Sequence, residues 1–207
     1  LYALDLARLN SDLTRLLKGE EVNLPTYSFE LGARIEKPKK IQMHPSDVLI
    51  LEGIHGLNPE LTSSIAASSI FKVYVSALTT LSIDDHNWIS PNDNRLLRRI
   101  VRDYRYRSTS ALDTIRRWPS VRRGEEKWIF PFQENADATF NSSLIFELGV
   151  MKEYAEPLLR QVPHNVKEYS NAYRLLRFLD YFDPIPSDQI PHTSLLREFL
   201  GGSSFHY

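Results

Sequence analysis

The chain has 207 residues, 42% of them hydrophobic and 25% charged, which suits a globular domain with a sizeable core. It has no cysteine, so disulfides, thiolate nucleophiles and cysteine-based zinc sites are excluded, and its scattered histidines have no ligand spacing. No apolar run nears the roughly 20 residues that cross a bilayer, so no membrane partner is expected and a cytoplasmic location is the default.

The first predicted helix runs from about Leu4 to Lys18. Leu6, Leu9, Leu13, Leu16 and Leu17 make its stripe, and Gly19 is its stop signal. Because that stripe is already running at the first residues and Leu1 is not Met, the chain is expected to be part of a longer polypeptide. Val22 to Phe29 reads as extended and broken by Pro25, and Ile35 to Gln42 as a basic surface hairpin or loop. Val48–Leu51 is an apolar run of the kind buried in a parallel sheet, followed at once by Glu52-Gly53. A short helix is expected between Asn58 and Ser69, then a second buried strand over Phe71–Val75. Strand, short helix and strand point to an α/β sheet.

The next segment concentrates the charge. Ten arginines lie between Arg95 and Arg123 with only Asp103 and Asp113 among them, a net +8 in a chain whose total is −1. Such a cluster calls for an anion. Two helices are predicted here. Leu97, Ile100, Val101 and Tyr104 make the apolar face of the first, and Arg95, Arg98, Arg99, Arg102 and Arg105 share the opposite face within an arc of about 120°. Acidic partners at i+4 are expected to be missing from that face, which favours a bound anion over plain solvation. The second helix, with Ala111, Leu112, Ile115 and Trp118, is expected to end at Pro119. A strand at Ala136–Asn141, helices at Val150–Gln161 and Ala172–Tyr181, and a small helix at Leu195–Leu200 complete the reading.

Three groups carry candidate chemistry. Glu52, directly after an apolar strand, stands where α/β folds place ligands; it reads either as a Mg²⁺ contact or as a solvated carboxylate. Arg99, Arg102 and Arg107 can clamp phosphates bidentately. Tyr27 and Phe29 alternate beside Pro25 and read either as the walls of a base or sugar pocket or as core aromatics. Arg116-Arg117 and Arg122-Arg123 are weaker phosphate candidates. Tyr104, Tyr106 and Trp118 interleave with the arginines as in nucleic-acid binders. The acidic remainder of the chain and the place of Tyr104 on the apolar face speak against nucleic acid.

Together these segments resemble the uridine kinase and phosphoribulokinase family of P-loop kinases. Pro25-Thr26-Tyr27-Ser28-Phe29 resembles its nucleoside-contacting segment and Val48–Gly53 its metal-associated strand. Arg95 to Asp103 resembles its lid helix, and Pro131 with Ala136-Asp137-Ala138 the segment after the lid. EGIHGLNPEL, WPSVRRGEEKWIFPFQENAD and LLREFLGGSSF resemble a bacterial subgroup of uridine kinase-like nucleoside kinases. Members of that subgroup often carry an upstream threonyl-tRNA synthetase-like (TGS) module.

The resemblance implies an α/β fold, a P-loop NTPase-like parallel sheet flanked by helices, with an arginine-rich lid over about 93–123. Residues 1–207 would be the C-terminal part of one kinase domain. It implies ATP and Mg²⁺ as cofactors and a nucleoside-like substrate. Tyr27 and Phe29, with Arg34 nearby, would line the nucleoside site, Glu52 would help hold Mg²⁺, and Arg99, Arg102 and Arg107 would reach the phosphates. The chain departs from the family in four places. The G-x-x-x-x-G-K-[ST] loop and the base aspartate do not occur in it and are expected upstream of Leu1, together with the first strand. Gly32 stands where uridine kinases place a histidine that helps read the base, and Thr109 where they carry a further lid arginine. The chain alone is therefore expected not to turn over. An RNA-associated regulatory module and a pseudokinase scaffold are the alternatives. Exposed aromatics near the C-terminus leave room for a homo-oligomer.

Overall fold

The computed structural model describes residues 1, 4–28 and 33–205. They form two compact units, 1–74 with 125–138, and 75–124 with 139–207.

In the first unit, helix α1 (Leu6–Leu17) is opened by the Asp5 side chain, which accepts from the Arg8 N–H. The helix therefore starts at its cap and is not already running at residue 1. Leu13 and Leu16 are its buried face, while Leu17 is half exposed. It closes at Lys18 with Gly19 at φ +79°, a conformation that favours glycine. Strands β1 (Val22–Ser28) and β2 (Ala33–Ile41) pair antiparallel, from Val22 opposite Ile41 to Ser28 opposite Ala33. The register shifts between Leu24 and Thr26, at Pro25, which has no N–H for the ladder. The Asn10 amide donates to the Leu61 carbonyl and its oxygen accepts from the Ser64 N–H, tying α1 to the turn beyond. In place of the expected short helix there are two 3-10 turns, Pro59–Thr62 and Ala67–Ser69.

The predicted strand at Val48–Leu51 does not form. Among the described residues no ladder includes it, and Val48 is 86% and Ile50 83% exposed. An apolar run becomes a strand only with a hydrogen-bonding neighbour, and none reaches it here. The second expected strand does form, as β3 (Val73–Ser76), beside β4 (Ala138–Asn141). Asp137 and Ala138 donate to the Lys72 carbonyl and Ser142 to that of Ser76, a parallel pairing. The division between the two units passes through both strands. Val73, Val75 and Phe140 are about half exposed, so this sheet is not the buried one expected. The chain is mixed α/β, with one parallel pair and a separate hairpin among the described residues.

The second unit holds the main core. Helix α2 (Pro91–Arg107) starts with proline in its first turn, where the missing N–H costs nothing, and buries Leu96, Leu97, Ile100 and Val101. Tyr104, expected on that face, is half exposed. Its phase, about 80° from Leu96, falls inside the buried arc. Phase is therefore not the reason; the whole last turn, Tyr104–Arg107, is exposed. Helix α3 (Ala111–Trp128) does not stop at Pro119 but passes through it. Ile115 and Trp118 before the proline are buried and Val121 after it is partly buried against the core, and that packing offsets a cost of about 3 kcal/mol. Helices α4 (Glu147–Leu159), α5 (Tyr169–Leu179) and α6 (Arg197–Leu200) follow. Helix α2 packs on α4 and α6, and α4 on α5, around Met151, Leu159, Leu175 and Leu196.

Candidate functional site: an arginine cluster on helix α2

Arg99, Arg102 and Arg107 converge on one carboxylate. Asp103, 4% exposed, accepts from Arg99 Nε at 3.1 Å, from Arg102 Nε and Nη2 at 3.3 Å, and pairs with Arg107 Nη1 at 3.2 Å. Asp103 stands four residues after Arg99 and four before Arg107, so the expectation of no acidic partner at i+4 is wrong. The backbone completes the arrangement. Ser108 takes a left-handed φ of +48°, and the Ser108 and Thr109 N–H groups both donate to the Asp103 carbonyl. That closes the helix just after Arg107. Three guanidiniums facing one carboxylate leave a surplus of two positive charges. The arginines are not sunk in the core: their side chains are 27%, 29% and 56% exposed in chain order.

Arg98, assigned by phase to the same basic face, is buried. Its guanidinium donates to the Glu147 carboxylate and to the Ser142 carbonyl, and lies 5.2 Å from the centre of the Phe199 ring. It sits on the flank of the basic arc, where α4 and α6 pack, and its charge is met by Glu147. Arg102 also lies 4.0 Å from Glu198, and the Arg105 guanidinium packs against Gly201. At the start of the helix Asp93 takes two hydrogen bonds from Arg174, at 2.6 and 2.8 Å; these raise the Arg174 pKa above its ordinary value, against the opposing effect of burial. On α3, Arg116 pairs with Glu168 and Asp113.

The remaining candidates lie in the first unit. Tyr27 and Arg34 are direct partners in the β1–β2 register. Phe29 lies outside the described residues. Glu52 is exposed in an irregular segment after the unpaired run, not at a strand end. Among the described residues no group of three or more acidic or histidine side chains gathers to hold a metal, so Glu52 offers at most one ligand. No helix among them is long and apolar enough to cross a membrane.

Sequence reasoning missed Asp103, Glu147 and the Asp93–Arg174 pair. The first was legible as the i+4 spacing. The other two join residues far apart in sequence and left no local signal.

A family model described as the phosphoribulokinase/uridine kinase family matches residues 2–145, more than half of the chain. The chain belongs to that family. The matched stretch includes every candidate residue from Tyr27 to Arg107 and ends just before α4. A uridine kinase of Brevibacillus brevis is 31% identical over 137 residues, covering 66% of this chain and 56% of the relative. The uridine kinase of Macrococcus caseolyticus is also 31% identical over 137 residues, 66% of this chain and 58% of its own length. That of Halobacterium salinarum is 28% identical over 131 residues, covering 62% and 50%. The chain spans about half the length of the curated relatives it matches.

Proposed function

We propose that this chain is the acceptor and lid portion of a kinase that transfers a phosphoryl group from ATP to a hydroxyl of a nucleoside or related sugar. The observation that carries this reading is the convergence of Arg99, Arg102 and Arg107 on Asp103 within the family-matched stretch. Phosphoryl transfer asks the protein mainly to position its reactants and to neutralise charge on the transferred group. Guanidiniums already gathered, partly exposed and in positive surplus suit that task. An incoming phosphate takes over the hydrogen bonds now made to Asp103. The hairpin carrying Tyr27 and Arg34, together with Phe29, would receive the nucleoside.

No G-x-x-x-x-G-K-[ST] loop occurs in the 207 residues. In this reading the donor-phosphate cradle and the base that deprotonates the hydroxyl come from elsewhere in the full-length polypeptide, and the chain alone does not turn over. A TGS-like module upstream belongs to the same proposal. Mg²⁺ would arrive with the nucleotide, since it is commonly held by one or two carboxylates plus phosphate oxygens and water, and Glu52 supplies one such carboxylate. The ion adds positive charge at the transferred phosphate; the arginines orient that phosphate and keep water from it.

The test is kinetic. In the full-length protein, Arg99→Ala and Arg102→Ala should each lower kcat by about 10²-fold or more while shifting the melting temperature by only a few degrees. Parental kcat in both variants sinks the assignment.

A nucleic-acid reading gains from one observation. Tyr104 and Tyr106 are both exposed on the last turn of α2, and Arg105 lies 5.8 Å from the Tyr106 ring centre. A salt titration separates the two readings. A binder of single strands loses affinity with a log–log slope of about −0.7 per phosphate neutralised. No RNA or DNA binding at low salt removes this alternative.

A further inference from the structure

Helix α2 is held unevenly along its length. Glu147, on the first turn of α4 and 1% exposed, accepts from the Asn94 amide, from the Arg98 guanidinium, and from the Leu144 N–H at 3.0 Å. Arg98 in turn donates to the Ser142 carbonyl at 2.6 Å and to its hydroxyl at 3.1 Å. Ser142 is tied to the end of β3 by its own N–H, 2.8 Å from the Ser76 carbonyl. Next to it, the Asn141 amide pairs with both the N–H and the carbonyl of Leu78. Glu147 and Arg98 thus fasten the first half of α2 to the C-terminal ends of β3 and β4. One helical turn earlier, Asp93 is fastened to α5 through Arg174. The second half differs. Past Asp103 every residue of the helix is exposed; Arg107 pairs with Asp103 inside the helix, and Arg105 packs against Gly201 of the C-terminal tail without a buried ion pair.

We propose that Glu147 is the positioning residue of the arginine helix. It pins α2 at Asn94 and Arg98, so the helix does not swing as a whole, and the response to a bound phosphate is confined to the half from Arg99 to Arg107. The pair is buried, where removing one partner strands the other's charge, so the tie is stiff. Glu147 lies beyond the residues that the family model matches, so this anchor is supplied by the chain's own C-terminal helices. The inference rests on the reading of Arg99, Arg102 and Arg107 as anion contacts, but its test does not require turnover.

The experiment is amide hydrogen exchange in the full-length protein, with and without inorganic tripolyphosphate. In the parent, exchange over 94–98 should be slow and unchanged by the anion, while 102–107 should slow at least threefold on binding. Glu147→Gln should raise exchange over 94–98 at least tenfold. The control is Leu159→Ala, a core change on the same helix, measured equally far below its own melting temperature. A merely structural role for Glu147 predicts the same exchange in both variants. If Glu147→Gln does not fold, Asn94→Ala, which removes one arm of the tie, should raise exchange over 94–98 at least threefold. A uniform change along all of α2 on anion binding, or no excess exchange over the Leu159→Ala control, overturns the proposal. Absence of kinase activity in the parent would sink the proposed function and leave this readout standing.

Discussion

Asp103→Asn separates two things the arginine cluster does at once. The carboxylate is nearly buried, with its side chain 6% exposed, and faces three guanidiniums at 3.1–3.3 Å. In a dry interior each pair would be worth several kcal/mol. Here the arginine side chains are 27%, 29% and 56% exposed, so solvent screens them and each pair contributes about 0.3–1 kcal/mol. The three together come to about 2 kcal/mol. For a protein of this size that is a fall in melting temperature of roughly 4–8 °C. The same change should strengthen anion binding, because the arginines no longer abandon a carboxylate to reach a phosphate. A gain of about 1.4 kcal/mol is tenfold in affinity. Thermal melts and calorimetric titration with tripolyphosphate read the two effects in one pair of samples. Weaker binding in the variant would show that Asp103 organises the arginines and does not compete with the ligand. An unchanged melting temperature would show that the three pairs add nothing. Either result refutes the reasoning.

Glu168 gives a pH signature. Burial alone would raise its carboxyl pKa, but hydrogen bonds from its own N–H and from Arg116 outweigh burial and hold it below the ordinary value of 4.5. Its stabilisation is therefore complete above that value and lost as pH falls through the depressed one. Arg116→Ala should move the acid limb of the stability profile to higher pH, read by urea melts between about pH 2 and 6; an unmoved limb would discount the pair. Gly201 has φ +83°, and a Cβ there would lie 2.2 Å from Arg105 Nη2. Gly201→Ala should cost about 1–3 kcal/mol from backbone strain alone and displace Arg105. A parental melting temperature would mean that the tail does not seat against α2.

Much of the element order was legible because it rests on local pattern. Leu13 and Leu16 mark α1, Leu97, Ile100 and Val101 mark α2, and Pro25 marks the irregularity in the hairpin. What failed depended on neighbours. Val48–Leu51 has the composition of a buried strand, but its pairing partner decides whether it becomes one. Tyr104 has the right helical phase, but its exposure depends on what packs over the last turn of α2. Pro119 carries a local penalty that packing on both sides of it overrides. The arginines divide in the same way. The convergence of Arg99 and Arg107 on Asp103 was legible in the i+4 spacing on either side of that carboxylate. Arg98 follows the same periodicity as Arg99. Only Glu147, almost fifty residues further on, makes it a different kind of residue.

Ser142 joins strand end to helix largely through main-chain atoms. Its N–H meets Ser76 and its carbonyl meets Arg98; only the hydroxyl contact belongs to the side chain. A main-chain contact persists through substitution, since almost every residue brings the same amide and carbonyl to that place. Substitution at position 142 should therefore leave the helix fastened, while substitution of Arg98 or Glu147, which act through their side chains, should not. The junction would look unremarkable in any comparison of sequences, although the mechanical path from sheet to arginine helix runs through it.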